Sequence, residues 1–413
     1  MTAARAPLLP LDEALARLLA VATPLGRVEE VDTFDADGRV LARDLNSALQ
    51  VPPEDNSSMD GYAVRCADVA GDGAVTSTGL RVSQRIPAGS AAQPLEAGTV
   101  ARIFTGAPVP SGADAIVMQE DTEVLGDGNV RVLRVPQPGQ WIRRSGEDVT
   151  RGSVVLKTGD RLSPASIGLA AGIGLARLPV AARPRVALFS TGDELVMPGT
   201  VPPEAMKPGA IYNSNRYFLR AMLQRLGCKV SDLGIVPDQR EATVQALREA
   251  SASHDLILTS GGVSVGEEDH VKPAVQALGS LDLWQIAMKP GKPFAYGRVG
   301  SAHFIGLPGN PVSSFVTFAV LVRPFLLKLQ GATSLAPCPM TLPAHFDWPR
   351  PDKRREFLRV RRNAQGGLDL FPNQSSGVLT SVSWADGVAD IAAGRSVVRG
   401  EGIPFISLAE LVS

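Results

Sequence analysis

Residues 254–269, HDLILTSGGVSVGEED, are the stretch that decides how this chain folds. HDLILT is an apolar run of the kind that forms a buried strand. The SGGVS loop follows, and glycine lets backbone N–H groups come close to an anion. Glu267, Glu268 and Asp269 come next, and carboxylates beside a phosphate make sense if a divalent cation lies between them. The pattern predicts a metal-assisted site for a phosphorylated small molecule. The alternative is a strand–turn–helix connection whose acids favour a helix N-terminus.

The composition is that of an ordinary globular protein. The chain has 413 residues, which is enough for about three domains. Its 41 Lys and Arg balance 42 Asp and Glu, so no overall charge attracts nucleic acid or an anionic membrane. The three cysteines lie far apart and the four histidines are scattered, which disfavours zinc and disulfides. Because neither a signal peptide nor an apolar run of about 18 residues is evident, we expect a cytoplasmic protein with no membrane partner.

The chain divides into segments of different rhythm. Residues 10–20 predict an amphipathic helix, and short alternating segments between turns predict a β-rich domain over residues 51–144. Strands then alternate with helices, which predicts a mostly parallel three-layer α/β domain over residues 181–332. Residues 178–184 contain two prolines and are interpreted as a boundary linker. Residues 1–50 with 145–180 form a helical, linking domain, and residues 333–413 a C-terminal β domain.

Four polar loops follow strands of the α/β segment. They are STGDEL after residue 189, VPD at 236–238, the SGGVS loop, and GLPGNP at 306–311. A helix cap explains any one of them. In parallel sheets, however, ligands bind beyond the carboxyl ends of the strands, so four such loops on one edge predict a ligand crevice.

Other polar segments are ambiguous when they are taken alone. Lys289 and Lys292 in MKPGKP are held by prolines and a glycine, so they form either an oxyanion clamp or a solvated turn. The loops DNSSMDGYA, FTGAPVP and RRSGED in the β-rich segment are explained by turn chemistry.

Eight motifs in order resemble one family. DNSSMDGYA, RIFTGAPVP, RRSGEDV, STGDEL, YNSN, LTSGGVSVGEED, MKPGKPFAYG and GLPGNPVSSF are similar to those of the molybdopterin molybdenumtransferases, relatives of the gephyrin E domain. The resemblance implies an elongated multidomain α/β plus β chain, with an α/β domain like that of pterin adenylyltransferases and a C-terminal β-barrel. It also implies a homodimer whose site lies between the α/β domain of one subunit and the β-rich domain of the other.

The reaction implied by the resemblance joins molybdate to adenylylated molybdopterin and releases AMP, with Mg²⁺ as cofactor. The upstream adenylyltransferase and downstream cofactor-handling proteins are the implied partners. The matching positions give catalytic and binding candidates. The catalytic candidates are Asp60, Thr105, Asp148, Glu194, Asp238 and Asp269, of which Glu194 and Asp269 are the metal ligands. The substrate-binding candidates are Ser260, Gly261, Gly262, Ser264, Lys289, Lys292, Pro293, Asn310, Arg359 and Ser376.

Two other functions stay open at this stage. Adenylylation of molybdopterin needs the α/β domain alone, so the N-terminal loops and the C-terminal domain argue against it. A non-catalytic scaffold of the gephyrin type has no need of the matched acids and lysines. A nicotinamide-dependent dehydrogenase is disfavoured because no GxGxxG opens a βα unit.

Overall fold

The computed structural model describes residues 8–70, 78–237, 239–262 and 270–412. A six-stranded central sheet organises the middle of the chain. Four neighbouring strands pair in parallel, and two further strands are added at one edge by antiparallel pairing. In spatial order its strands are Lys229–Val236, Arg185–Thr191, Leu256–Ser260, Ala302–Leu307, Pro293–Val299 and Gly279–Gln285.

Helices cover both faces of the central sheet. Successive strand residues point to opposite sides, and the residues on both sides are apolar, so each face needs a covering layer. Val186 and Leu188 pack into one apolar cluster with helices Asn215–Arg225 and Pro311–Leu329. Ala187 and Phe189 pack into a second cluster on the opposite face. The helices of that second face are Arg240–Ser253 and Val271–Leu278. The predicted three-layer α/β arrangement is therefore confirmed.

One long apolar helix forms the centre of the larger core. Residues Pro311–Leu329 are long and apolar enough to cross a membrane, yet 89% of this stretch is buried inside the protein. It is α-helical over Pro311–Thr317 and Arg323–Leu329, with a π-helical turn at Phe318–Val322 between them. Pro324 cannot donate the regular helical hydrogen bond, which accounts for the wider turn before it.

The N-terminal part combines short elements from distant stretches. Helix Leu11–Val21 buries Leu11, Ala14 and Leu18 against the larger core. Strand Val28–Asp32 pairs with Arg177–Ala181, so residues 178–181 of the stretch interpreted as a boundary linker are strand. The remaining elements are strands Leu45–Asn46 and Val154–Leu156 and helix Pro164–Gly172.

The β-rich segment forms a four-stranded sheet with small satellites. The strands lie in the order Arg81–Ile86, Thr99–Ile103, Gly61–Val64 and Ala115–Met118. Short pairs flank this sheet: Asn56–Ser57 with Ile142–Arg143, and Thr122–Val124 with Val130–Val132. Helix Cys66–Val69 and the single-turn helices Thr33–Asp35 and Gln119–Asp121 connect the strands of the N-terminal half.

The C-terminal strands form a second six-stranded sheet. Its order is Met288–Lys289, Arg355–Arg362, Gly387–Ile391, Gly402–Ser407 and Met340–Pro343, and Leu368–Leu370 also pairs with the long second strand. These ladders form an open path. An isolated bridge between Ala344 and Leu368 joins the residue after the end strand Met340–Pro343 to the side strand Leu368–Leu370, and a closed β-barrel stays a prediction. Helices Thr380–Trp384 and Leu408–Leu411 complete this part.

Candidate active site

A cleft of about 680 Å³ opens at the carboxyl edge of the central sheet. Three of the four loops predicted for this edge contribute to it among the described residues. Thr191 ends strand Arg185–Thr191, and Glu194 lies in the loop after it. Ser260 ends strand Leu256–Ser260, Gly261 follows it, and Asn310 lies in the loop after Ala302–Leu307. The cleft is within the size range of small-molecule sites. The sequence prediction of a crevice at this edge agrees with this geometry.

Asn215 ties two of these loops together. Its Nδ2 donates to Ser260 Oγ at 3.1 Å and to the carbonyl of Gly309 at 2.7 Å. Both Asn215 and Ser260 are buried. The loop after strand Leu256–Ser260 and the turn before the long core helix are therefore held in a fixed relation, which places Ser260 and Asn310 on one rim.

Glycines let the Ser260 loop pass close to Thr191. Gly261 and Gly262 have φ of +93° and +67°, a conformation that suits glycine. A Cβ on Gly262 would overlap Val271 Cγ2 and stand 2.9 Å from Thr191 Oγ1. The backbone of this loop therefore lies directly against the loop that carries Glu194.

Glu194 presents an exposed carboxylate to the cleft. The chain folds back at Gly192, where a built Cβ would meet Glu194 Oε2 at 2.5 Å and Oε1 at 2.8 Å. The backbone carbonyl of Glu194 accepts from Ile211 N at 2.8 Å, which joins this loop to the short strand Ile211–Tyr212. The carboxylate is thus positioned over the cleft by its own loop.

Asp60 and Thr105 form a separate pair in the β-rich segment. Both the backbone N and the Oγ1 of Thr105 donate to Asp60 Oδ1 at 2.8 Å. These two hydrogen bonds, the backbone one first, lower the pKa of the Asp60 carboxyl below its usual value. Both side chains are exposed, and neither lines the cleft of its own chain.

Asp148 lies on an exposed loop just after the β-rich segment. Asp55 ties that loop to the loop before Asp60: it accepts from Ser145 N at 2.8 Å and from Arg144 Nη1 at 2.6 Å. These bonds hold the pKa of Asp55 below its usual range, with the Ser145 bond the largest cause. Asp55 was missed from the sequence, where the surrounding residues were explained by turn chemistry.

Arg359 is buried in the C-terminal sheet instead of facing the cleft directly. Its Nε donates to Ser381 Oγ at 3.2 Å and its Nη1 to the carbonyl of Phe357 at 2.8 Å. Burial lowers the pKa of the guanidinium to about 10. Within the part of the chain that the structure describes, Arg359 Nη2 has no hydrogen-bond partner.

The other anion-binding candidates have mixed positions. Pro293 lines the cleft, and Ser376 is next to the lining residue Gly377 and accepts from Val312 N at 2.9 Å. Lys289 is already paired, with its Nζ 2.9 Å from Glu356 Oε1 and 3.4 Å from Asp352 Oδ2. Lys292 is half-buried on the same turn.

Three candidates, Asp238, Ser264 and Asp269, lie outside the described residues. No group of three or more His, Cys, Asp or Glu side chains that could hold a metal ion occurs within residues 8–70, 78–237, 239–262 and 270–412. The described cleft does offer hard oxygen donors, the Glu194 carboxylate with the hydroxyls of Thr191 and Ser260, and oxygen donors of this kind suit Mg²⁺.

Several lining residues were not predicted as site residues. Asn213 and Asn215 belong to the YNSN motif, and that resemblance was the signal that could have found them. Thr191 was explained as a helix cap, although it is buried against the glycine loop. Tyr212 and Ser313 also lie in quoted motifs, YNSN and GLPGNPVSSF, but no role was assigned to either residue.

Comparisons with known proteins agree with this architecture. Residues 9–174 match the MoeA N-terminal region (domain I and II), 187–328 a probable molybdopterin binding domain, and 341–408 the MoeA C-terminal region (domain IV). The fold and the cleft thus define a multidomain protein built around a molybdopterin-binding type of α/β domain.

Individual relatives narrow the class to one family. The molybdopterin molybdenumtransferase of Haemophilus influenzae is 42% identical over 325 residues, 78% of each chain. That of Nostoc is 36% identical over 90% of this chain and 86% of its own. The crystal structure of the molybdopterin biosynthesis moeA protein from Pyrococcus horikoshii covers 97% of this chain and 100% of its own, with 29% identity and a TM-score of 0.84. This chain belongs to the molybdopterin molybdenumtransferase family.

Proposed function

We propose that this protein inserts molybdenum from molybdate into adenylylated molybdopterin and releases AMP. The observation that carries the proposal is the convergence of Glu194, Ser260, Gly261 and Asn310 on one cleft, in a chain of this family. Cleavage of a phosphoanhydride needs charge neutralisation and positioning more than a covalent nucleophile. A cleft with a carboxylate, hydroxyls and a glycine loop supplies these features.

Each part of the cleft has a proposed role. The Ser260–Gly262 loop, continued by Ser264, binds phosphate through backbone N–H groups and hydroxyls. Glu194 and Asp269 hold Mg²⁺, and Asp238 supports this acidic side. The bound cation would neutralise the charge that develops on the phosphate oxygens.

The molybdate subsite is proposed to lie where the C-terminal sheet meets the cleft. The unpartnered Nη2 of Arg359 supports this, because a buried donor without a partner among the described residues fits an oxyanion. Ser376 adjoins the lining residue Gly377, and Pro293 belongs to the lining itself. Lys289 and Lys292 contribute positive charge from the same turn, with Lys289 compensated in part by Glu356.

We propose that the complete site is shared between two copies of the chain. Asp60, Thr105 and Asp148 lie outside their own chain's cleft, yet the Asp60–Thr105 pair is fully exposed and preorganised. A homodimer would bring the β-rich segment of one copy to the cleft of the other. The proposed domain limits are 1–50 with 145–180, 51–144, 181–332 and 333–413. The proposed location is the cytoplasm, where an adenylyltransferase delivers the substrate.

The test is AMP release from adenylylated molybdopterin by the purified protein with Mg²⁺, with and without molybdate. We expect release that depends on molybdate, and its loss in Glu194→Gln and Asp269→Asn. An exposed glutamate elsewhere, changed as Glu204→Gln, serves as the control. Consumption of ATP with free molybdopterin in place of AMP release would instead indicate the adenylyltransferase reaction.

A further inference from the structure

A second hollow opens beside the cleft. It has a volume of about 480 Å³, and its walls are mostly aromatic and aliphatic. We call it the aromatic shelf and define it by Tyr212, Tyr217, Phe218, Phe315, Leu379 and Val382. The shelf and the cleft share Tyr212, Asn213, Ser214 and Leu379 as lining residues, so the two spaces are continuous.

The shelf has a fixed aromatic floor and an open aromatic edge. Phe218 and Phe315 pack with their ring centroids 5.7 Å apart and their planes tilted by 58°. Tyr212 is held by its hydroxyl, which donates to the carbonyl of Val201 at 2.7 Å. Tyr217 is 51% exposed, although it lies next to this apolar surface. An exposed ring beside an apolar floor is suited to stack against a flat molecule.

Asn213 adds a polar group at the boundary between shelf and cleft. It is only 2% exposed, and its Oδ1 accepts from Arg216 N at 3.3 Å. Its Nδ2 is buried and has no hydrogen-bond partner within the described part of the chain. Buried donors are normally satisfied, so this amide is a candidate to bind an acceptor that arrives with a substrate.

We propose that the aromatic shelf binds a planar, fused-ring nitrogen heterocycle of the substrate, stacked on Tyr217 with an acceptor atom directed to Asn213. This inference rests on the proposed function. A substrate in which a phosphoanhydride joins a pterin to adenosine has such a ring at both ends. When its phosphates occupy the Ser260–Gly261 part of the cleft, one ring must lie beside them. The adenine and the pterin share the required chemistry, and the experiment distinguishes them.

The experiment measures equilibrium binding of three probes to the full-length protein with Mg²⁺: AMP, ribose 5-phosphate and pterin-6-carboxylate. The variants are Tyr217→Ala and Tyr217→Phe, with Phe34→Ala as the control because Phe34 is 93% exposed outside the shelf. We expect Tyr217→Ala to weaken binding of one ring-containing probe by about tenfold, the range of base–aromatic stacking. Tyr217→Phe and Phe34→Ala should bind as the unmodified protein does, and ribose 5-phosphate should respond to none of the changes.

The responding probe identifies the ring: AMP indicates adenine, and the carboxylate indicates the pterin. The proposal is overturned if Tyr217→Ala binds both ring-containing probes like the unmodified protein, or if the unmodified protein binds neither. Steady-state kinetics separate this proposal from the proposed function. If Tyr217→Ala releases AMP in a molybdate-dependent way with an unchanged KM for adenylylated molybdopterin, the proposed ring binding at the shelf is contradicted and the proposed reaction is not. A ten-fold binding change without any AMP release would contradict the proposed reaction alone.

Discussion

At the level of single residues, hydrogen bonds between two turn-like loops hold the Asp60 carboxylate in a fixed position. Two donors from one residue converge on one carboxylate oxygen, at 2.8 Å each. The sequence around both residues is rich in Gly, Pro and Asp, and turn chemistry explained it. Only the resemblance singled out Asp60 and Thr105, because a hydrogen bond between residues 45 apart leaves no local pattern.

Replacing Thr105 by valine removes the Oγ1 donor and keeps the side-chain shape. Because that bond lowers the pKa of Asp60, its loss raises this pKa, so the acid limb of the AMP-release profile should move to higher pH. We expect a rate loss of about tenfold at neutral pH, within the range for loss of one hydrogen bond to a charged group. Thr105→Ser keeps the donor and is the matched control. An unchanged pH profile in Thr105→Val would argue against a role for the pair.

Gly262 has no room for a side chain because Val271 and Thr191 pack against it. A Cβ there would overlap Val271, whereas at Gly199, with φ of +86°, it would meet no atom within 4 Å. Both Gly→Ala changes strain the backbone, but only Gly262→Ala adds overpacking of about 1–3 kcal/mol. We expect Gly262→Ala to unfold at a lower temperature than Gly199→Ala by calorimetry at one scan rate. Equal unfolding temperatures would show that this loop does not pack against the helix as described.

At the scale of elements, Asp255 joins the N-terminal segment to the central sheet. It accepts two hydrogen bonds from Arg27, at 2.9 and 2.6 Å, and one from Arg185 N at 2.8 Å. Burial alone would raise the pKa of this carboxyl, but the Arg27 and Arg185 hydrogen bonds outweigh it and lower the pKa from 3.8 to about 2. The ionised carboxylate of Asp255 is therefore more stable in the folded protein than in the unfolded chain.

This shift predicts a pH-dependent stability. Because the pKa of Asp255 is lower in the folded protein than in the unfolded chain, its ionised carboxylate adds to the free energy of unfolding above about pH 4. This contribution is lost as pH falls from about 4 towards 2. Asp255→Asn should lower the free energy of unfolding by about 1–2 kcal/mol at pH 7. Below pH 4 the difference in unfolding free energy between this variant and the unmodified protein should shrink. Thermal unfolding from pH 7 to pH 3 tests this, with the exposed Asp282→Asn as control. A difference that stays constant with pH would contradict the role of Asp255.

Several elements could be predicted from the sequence because their patterns are strong and local. The sequence pattern predicts a helix over residues 271–278 and a strand over residues 302–307, and the structure has both with these limits, Val271–Leu278 and Ala302–Leu307. Strands Gly279–Gln285 and Pro293–Val299 were missed: they flank the MKPGKP turn and pair antiparallel, outside the β–α rhythm. Strand Gly387–Ile391 was missed too; it lies between Arg355–Arg362, which is distant in sequence, and Gly402–Ser407, the next strand along the chain.

At the scale of the whole molecule, the candidate site divides into two sets that one chain keeps apart. Glu194, Ser260 and Asn310 line the cleft, whereas Asp60 and Thr105 form their pair in the β-rich segment. The cleft could be predicted from the sequence because parallel strands share one edge. The proposed assembly of the two sets rests on the family resemblance, because contacts between copies leave no local pattern in the sequence.

A site shared between two chains can be tested by molybdate-dependent AMP release from mixed dimers of Asp60→Asn and Glu194→Gln chains. The two chains are co-expressed with different tags in equal amounts, and each variant alone is expected to be inactive. Random pairing makes half of the dimers mixed, and each mixed dimer has one intact site, so about a quarter of the unmodified activity should return. Purified mixed dimers should show about half. Activity no higher than that of the two variants measured separately would contradict a site shared between chains at this cleft.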